Sequence, residues 1–238
     1  IRHIKAKIPA FEELHLPEVI RDLALTRRGL VLVTGTTGSG KSTTLASMLD
    51  YINQTEAVNI ITVEDPIEYL YRDNKSIISQ REIGVDTLSY ANALRAALRQ
   101  DPDVLLVGEV RDLETMQIAL TAADTGHMVF ATIHTTNATE TIQRVLSMYP
   151  PHQHDEIRIL LSEVLAGIIS LRLLPTADGK GRVPAAEVLV NTAAIKEYIR
   201  DKDKLSLVEH AIAEGHMQYH SQTFDQALLE LYKTEQIS

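Results

Sequence analysis

A glycine-rich stretch between an apolar run and a predicted helix constrains this chain more than any other feature. Residues 35–42 read GTTGSGKS and fit the pattern G-x-x-x-x-G-K-[ST] at every fixed position. The apolar residues 30–33 before it predict a buried strand, and residues 43–49 after it predict a helix. A glycine-rich turn could match the pattern by accident, but a strand and a helix in the expected places favour a phosphate-binding loop.

Phosphate binding gives a chemical reason for each fixed residue type of this stretch. Glycines let the backbone curl so that successive N–H groups point at phosphate oxygens, and the helix N-terminus adds its positive dipole end. The Lys41 ammonium is expected to reach the β- and γ-phosphates, and the Ser42 hydroxyl to hold Mg²⁺. The sequence therefore predicts a nucleoside triphosphate site that consists of Gly35, Thr36, Thr37, Gly38, Ser39, Gly40, Lys41, Ser42 and Thr43.

Composition limits which other partners the chain is expected to have. Its 238 residues suit one large domain, or one domain with a helical appendage. The absence of cysteine excludes disulfides and thiolate metal sites from these residues. No apolar run approaches the roughly 20 residues that span a bilayer, so direct membrane insertion is not expected. The net charge of −9 argues against a nucleic-acid partner.

The order of apolar and amphipathic segments predicts the fold class. Four apolar runs that read as buried strands, at residues 30–33, 59–63, 103–107 and 128–133, alternate with segments of helical spacing. This rhythm is typical of an α/β fold with a mainly parallel sheet. After residue 151 the pattern changes to a long amphipathic helix at 157–169, strands at 171–175 and 185–190, and helices over 193–231.

A bound triphosphate needs a carboxylate on its metal side, and Glu109 is the first candidate. It follows Gly108 at the end of a predicted buried strand, where the acid that binds magnesium stands in proteins with such a loop. The alternative is a carboxylate that caps the helix beginning near Leu113, which Asp112 could do instead. Strand ends on this side of the sheet line the nucleotide crevice, so the metal role is favoured.

A second group of acids surrounds Pro66 at the end of another predicted strand. Glu64, Asp65 and Glu68 lie within five residues of one another, and packing like charges is costly unless a cation is near. We expect one of the three to be the general base that activates water. A solvated turn is the alternative.

Two histidines flank the predicted strand at residues 128–133. His127 and His134 therefore stand at its opposite ends and cannot both approach the γ-phosphate through that strand. His134, at the carboxyl end, has the better position to contact this phosphate. Histidines this far apart are usually ordinary loop residues, and a metal site between them is not expected.

Four segments in one order give the chain a resemblance to a known family. They are residues 35–44, the segment TVEDPIE at 62–68, the segments QDPDV and GEVRD at 100–112, and the segments TGH and IHTT at 125–136. They resemble the Walker A, Asp box, Walker B and His box of the secretion ATPase superfamily, and most of all its PilT-type retraction ATPases of type IV pili. The resemblance covers nearly the whole chain.

The resemblance implies a function and a cellular setting. It implies a RecA-like core that hydrolyses ATP with Mg²⁺ and powers pilus retraction, and thus twitching motility, as a homo-hexameric ring. It also implies a cytoplasmic protein, peripheral at the inner membrane, that acts on an inner-membrane pilus platform protein. Glu68 takes the role of general base, Glu109 with Ser42 that of magnesium ligand, and His127 and His134 those of catalytic box histidines.

The same resemblance suggests how the chain is divided. Residues 1–9 are expected to be the remnant of an N-terminal PAS-like domain and its linker, residues 10–190 the RecA-like ATPase core, and residues 191–238 a C-terminal helical region. That N-terminal domain packs on the neighbouring subunit in the family and can supply arginines, so we expect these 238 residues alone to associate weakly. Candidate arginines within the chain are Arg2, Arg81, Arg95, Arg99 and Arg111. Ordinary surface pairing with acids is the alternative for each and is favoured for any one of them taken singly.

Two departures from the family pattern keep other functions open. Thr36 stands where the family often has proline, and residues 194–201 (AIKEYIRD) are a degenerate form of a box that is tied to retraction. An accessory subunit with little turnover is therefore an alternative, as is a pilus-assembly, type II secretion or DNA-translocating ATPase. The absence of cysteine counts against the assembly and secretion relatives, which carry a tetracysteine zinc motif.

Overall fold

The computed structural model of the protein describes residue 4 and residues 7–238. The remnant predicted at residues 1–9 falls largely outside this set, and the candidate Arg2 lies outside it. The described residues form a single sheet with helices packed on both faces. Seven strands make up this sheet in the described part: β1 (Gly29–Thr34), β2 (Asn59–Glu64), β3 (Ile77–Glu82), β4 (Val104–Val107), β5 (Met128–Ile133), β6 (Leu165–Pro175) and β7 (Arg182–Val190).

The sheet is mainly parallel, which confirms the predicted α/β class. Its strand order is β3-β2-β4-β5-β1-β6-β7, and β7, antiparallel to β6, is the exception to the parallel pairing. All residues of β1, β4 and β5 are buried, as the apolar runs predict for central strands covered on both faces. Because β1 to β6 run in one direction, their carboxyl ends lie at the same edge of the sheet.

Helices cover both faces of the sheet. Their bounds in the described residues are α1 (Val19–Ala24), α2 (Lys41–Thr55), α3 (Tyr90–Ala97), α4 (Leu113–Asp124), α5 (Ala138–Ser147), α6 (His154–Val164), α7 (Ala193–Arg200), α8 (Val208–Glu214), α9 (His216–Tyr219) and α10 (Phe224–Lys233). Helices α1 and α2 pack on one face of the sheet, and α3 to α8 pack on the other. The helices predicted over residues 193–231 are present as α7 to α10.

The long helix predicted at residues 157–169 is wrong at its C-terminal end. Helix α6 ends at Val164, and β6 begins at the next residue and pairs with β1. The segment is extended because it pairs with β1 on one side and with β7 on the other. At Gly167 the packing is close, since a Cβ there would lie 2.8 Å from both the Leu189 carbonyl oxygen and a Leu23 methyl.

Candidate nucleotide-binding site

The glycine-rich loop joins the carboxyl end of β1 to the first residue of α2. Gly35, Gly38 and Gly40 have φ values of 137°, 78° and 103°, in the region that favours glycine. At Gly35 the space is also closed, since a Cβ would lie 2.4 Å from Ser39 Oγ and 2.5 Å from the Leu171 carbonyl oxygen. The glycines therefore permit a tight loop that ends at a helix N-terminus, as the sequence predicted.

Two side chains of this loop suit an anionic ligand. The Lys41 ammonium donates hydrogen bonds to the carbonyls of Gly35 (2.7 Å) and Thr36 (3.0 Å), which hold it over the loop. Burial lowers the pKa of Lys41, while Glu109 and Glu68 act in the opposite direction. The buried Ser39 hydroxyl has no hydrogen-bond partner among the described residues. An ammonium and an unpaired hydroxyl beside a glycine loop fit the oxygens of a phosphate group.

The segment after β2, residues 65–71, lies against the start of α2. Ser42 Oγ donates to Glu68 Oε1 at 3.1 Å, and the hydroxyls of Thr43 and Tyr69 are 2.9 Å apart. Glu68 thus lies next to the hydroxyl that is predicted to hold Mg²⁺. Of the three acids around Pro66, Glu68 is the one whose side chain accepts a hydrogen bond from α2 in the described residues.

Glu64 lies in the same cleft but in a different environment. Its Oε1 accepts hydrogen bonds from Thr62 Oγ1 (2.7 Å) and Gln80 Nε2 (3.1 Å). Burial raises the pKa of Glu64, and these hydrogen bonds oppose the rise. The Glu64 side chain is therefore fixed by its neighbours at the end of β2.

The backbone before Glu109 explains why a glycine precedes this acid. The Gly108 N–H donates to the Val63 carbonyl (2.7 Å), and the Gly108 carbonyl accepts from Thr132 Oγ1 (2.5 Å). A Cβ on Gly108 would lie 3.0 Å from that same Val63 oxygen and 3.2 Å from the Tyr90 hydroxyl. A residue with a side chain would push β4 away from β2, so the pattern of an apolar strand ending directly in an acid is altered here.

Glu109 is held at both carboxylate oxygens. Arg111 lies 2.5 Å from Oε2, and His134 Nε2 lies 3.1 Å from Oε1. The hydrogen bond from Arg111 lowers the pKa of Glu109. Arg111 also approaches Asp65, at 3.8 Å, and so links the segment after β4 to the segment after β2.

The helix-cap alternative for Glu109 is excluded by the start of α4. Asp112 is the N-cap of this helix, and its carboxylate accepts a hydrogen bond of 2.8 Å from the Thr115 N–H. Glu109 instead faces the glycine loop. One cleft of about 280 Å³ brings together Lys41, Ser42, Glu68, Glu109 and His134.

His127 is not among the residues that line this cleft. It precedes β5, and its Nδ1 lies 2.9 Å from the Ala122 carbonyl and 3.2 Å from Thr125 Oγ1. The two box histidines are thus at opposite ends of β5, as the sequence predicted, and the proposed role of His127 in catalysis stays a prediction. Among the candidate arginines, Arg95 is paired with Glu114 at 2.6 Å.

Within the described residues, no group of three or more His, Cys, Asp or Glu side chains could hold a metal ion by itself. A magnesium ion at this site would therefore depend on phosphate oxygens in addition to Ser42 and a carboxylate, which is typical of ions bound with nucleotides. The residues present fit that mode of binding.

Sequence reasoning missed Gln80, because a polar residue on a strand gives no sign of what it contacts. For Arg111, ordinary pairing with an acid is the alternative to a role in a neighbouring subunit, and the structure has that pair with Glu109.

The fold and the cleft together define a RecA-like P-loop domain. Residues 10–237 match the family described as Type II/IV secretion system protein, and the chain belongs to that family. No helix among the described residues is long and apolar enough to cross a membrane.

Two individual relatives are similar to most of this chain. The chain is 50% identical over 214 residues to the type IV pilus retraction ATPase PilT of Pseudomonas aeruginosa, covering 90% of the chain and 62% of that protein. It is 47% identical over 232 residues to the twitching motility protein of Neisseria gonorrhoeae, covering 98% of the chain and 62% of the relative.

A crystal structure described as the pilus retraction motor PilT with bound ADP has the same fold. It superimposes with a TM-score of 0.91 at 51% identity, and the match covers 100% of this chain and 66% of that one. The chain thus spans slightly less than two thirds of the length of these proteins.

Proposed function

We propose that this chain is the ATP-hydrolysing core of a type IV pilus motor, and that the motor drives pilus retraction. The observation that carries the proposal is the convergence of Lys41, Ser42, Glu68 and Glu109 in one cleft beside the glycine loop. A protein that only binds nucleotide has no need of the second acid. The names and the bound ADP of the PilT relatives support the same reading.

The residues of the cleft divide the work of hydrolysis. Lys41 binds the β- and γ-phosphate oxygens, and Ser42 with Glu109 would hold Mg²⁺, which neutralises charge on those oxygens. Glu68 orients a water molecule and accepts its proton as the water oxygen bonds to the γ-phosphorus. The bond from that phosphorus to the bridging oxygen breaks, and ADP leaves with its electron pair.

The remaining groups of the cleft orient these residues. Arg111 and His134 hold one carboxylate oxygen of Glu109 each, so the carboxylate has a fixed direction. His134 lies at the carboxyl end of β5 and lines the cleft, where it would contact the γ-phosphate, whereas His127 would act from outside the cleft. An arginine supplied by a neighbouring subunit can be worth about 10³–10⁵ in rate, and this is one reason to propose that the full-length protein works as a homo-hexameric ring.

The setting of the motor follows from its task. We place it in the cytoplasm at the inner membrane, where it would act on the pilus platform protein. An accessory subunit with little turnover would be expected to lack one of the two acids that hydrolysis needs. Here both Glu68 and Glu109 are present and line the cleft.

Replacement of Lys41 tests the proposal. In the full-length protein, Lys41→Ala should weaken ATP affinity by about 10–100-fold, because a charge-assisted contact contributes roughly 1.5–3 kcal/mol. Turnover and restoration of twitching in a strain that lacks its retraction ATPase should be lost with it. Lys202→Ala, in an exposed turn after α7, is the matched control. Near-normal ATP binding by Lys41→Ala would refute the proposal that the glycine loop binds the phosphates of ATP.

A further inference from the structure

The side-chain amide of Gln80 is bonded at both ends to the part of the chain around Glu68. Its Nε2 donates to Glu64 Oε1 (3.1 Å) and to the Tyr69 carbonyl (2.9 Å). Its Oε1 accepts from the Tyr71 N–H (3.1 Å). Because an amide both donates and accepts, one side chain can fix a carbonyl and an N–H two residues apart.

A second side chain of β3 acts on the same segment. Glu82 Oε2 accepts a hydrogen bond of 3.0 Å from the Ile67 N–H. The segment that carries Glu68 is therefore fixed by β3 on both sides, at Ile67 before the acid and at Tyr69 and Tyr71 after it. The carboxylate of Glu68 itself accepts a hydrogen bond from Ser42, on the side of the glycine loop.

We propose that Gln80 is a positioning residue for Glu68. The inference rests on the proposed function, in which Glu68 is the general base. A base is effective only within hydrogen-bond reach of the water that it activates, and a displacement of about 1 Å can cost roughly 10²-fold in rate. Gln80 supplies three of the hydrogen bonds that prevent such a displacement, and it does so without entering the reaction.

The test is a double-mutant cycle in the full-length protein. Gln80→Ala should lower kcat by about 10–100-fold, while the affinity for ATP changes by less than about threefold because the glycine loop is intact. Ser79→Ala is the matched control, since it removes a polar side chain from the next position of β3, on the opposite face of the strand. Its kcat should equal that of the wild type.

Glu68→Gln provides the second arm of the cycle. If Gln80 acts through Glu68, Gln80→Ala should cause no further loss of kcat in the Glu68→Gln background. Equal losses in both backgrounds, or a wild-type kcat for Gln80→Ala, would overturn the inference. Full turnover by Glu68→Gln would instead refute the assignment of the base, and the two failures are thereby distinguished.

A second variant guards against a folding defect. Gln80→Met has nearly the same length as glutamine but neither a donor nor an acceptor, so it keeps the packing of β3 and removes the three hydrogen bonds. It should reproduce the loss of kcat with normal ATP affinity. A Gln80→Met protein with the wild-type kcat would show that the hydrogen bonds do not position Glu68.

Discussion

The segments that follow β2 and β4 both deliver carboxylates to one cleft, but they hold them in opposite electrostatic environments. Glu64, at the end of β2, is partly buried, has no cationic partner among the groups that shift its pKa, and its pKa is raised chiefly by burial. Glu109, after β4, is bonded to Arg111, and its pKa is lowered. The strands are neighbours in the sheet, so the difference comes from the side chains around each acid rather than from position in the fold.

This contrast suggests how three acids in one cleft can have separate tasks. Glu109 has a lowered pKa, and each of its carboxylate oxygens has a partner that orients it, which suits a group that faces a metal ion. Glu64 has no cationic partner among the groups that shift its pKa, and its carboxylate accepts a hydrogen bond from Gln80. Glu68, whose contact in the cleft is the Ser42 hydroxyl, is left as the acid that can face water.

Replacing each working acid by its amide gives the largest effect and tests the division of tasks directly. Glu68→Gln should lower turnover by about 10²–10⁴-fold with Mg·ATP binding preserved, because it would remove the proposed general base. Glu109→Gln should instead raise the magnesium concentration needed for half-maximal turnover. Steady-state rates across a magnesium titration measure both effects. Exchanged phenotypes would show that the roles of the two acids are reversed.

The pH dependence of stability should have opposite signs for Glu64 and Glu109. A raised folded-state pKa gives stability that is fully present below the ordinary carboxyl value of about 4.3 and is lost as pH rises through the folded pKa. A lowered pKa gives stability that is present above about 4.3 and is lost as pH falls through the folded pKa.

Amide variants isolate these two contributions. Urea unfolding from about pH 3 to pH 7 spans both windows and should show Glu64→Gln gaining stability relative to the wild type as pH rises. Glu109→Gln should be less stable than the wild type at pH 7, and the gap should narrow as pH falls. If the stability difference from the wild type changed with pH in the same direction for both variants, Glu64 and Glu109 would not have oppositely shifted pKa values.

Removal of Arg111 should have the smallest effect of these changes, a shift in the pKa of Glu109, because the Arg111 side chain is 61% exposed. Arg111→Ala should move the pKa of Glu109 up toward the ordinary range and leave that of Glu64 in place. Carboxyl NMR titration of the two glutamates measures this, with Lys204→Ala, which breaks an exposed pair with Glu197, as the control. A pKa of Glu109 that stays low would assign the shift to His134 and Lys41 instead.

Much of this arrangement could be predicted from the sequence because its parts depend on local patterns. The glycine loop is recognised from residues 35–42 alone, and the apolar runs that became β1, β4 and β5 are buried throughout. Acids directly after such runs must then lie at the edge of the sheet where the loop is. That reasoning predicted that Glu109 and one of the three acids around Pro66 lie in the cleft, whereas the choice of Glu68 among the three depended on the family resemblance.

The parts that could not be predicted depend on contacts between distant segments. Residues 157–169 are apolar enough for a buried helix or a buried strand, and no proline marks the change at Leu165. The change is decided by β1, which pairs with β6. Likewise, Gln80 reaches the Glu68 segment only because β3 pairs in parallel with β2, a partner that the alternating pattern of residues 77–81 does not reveal.

The position of β3 at the end of the strand order has a consequence for self-association. An outermost strand offers its outward N–H groups to any other extended chain, and exposed apolar residues such as Ile77 add to the attraction. Here the Ile78 N–H donates to Asp73 Oδ1 (3.0 Å) and the Glu82 N–H donates to Asp86 Oδ2 (2.8 Å). These two carboxylates therefore accept hydrogen bonds from N–H groups to which an eighth strand would otherwise bond. A peptide could extend the sheet there only by displacing the carboxylates. The strand that anchors the Glu68 segment is thus also protected against aggregation through its free edge.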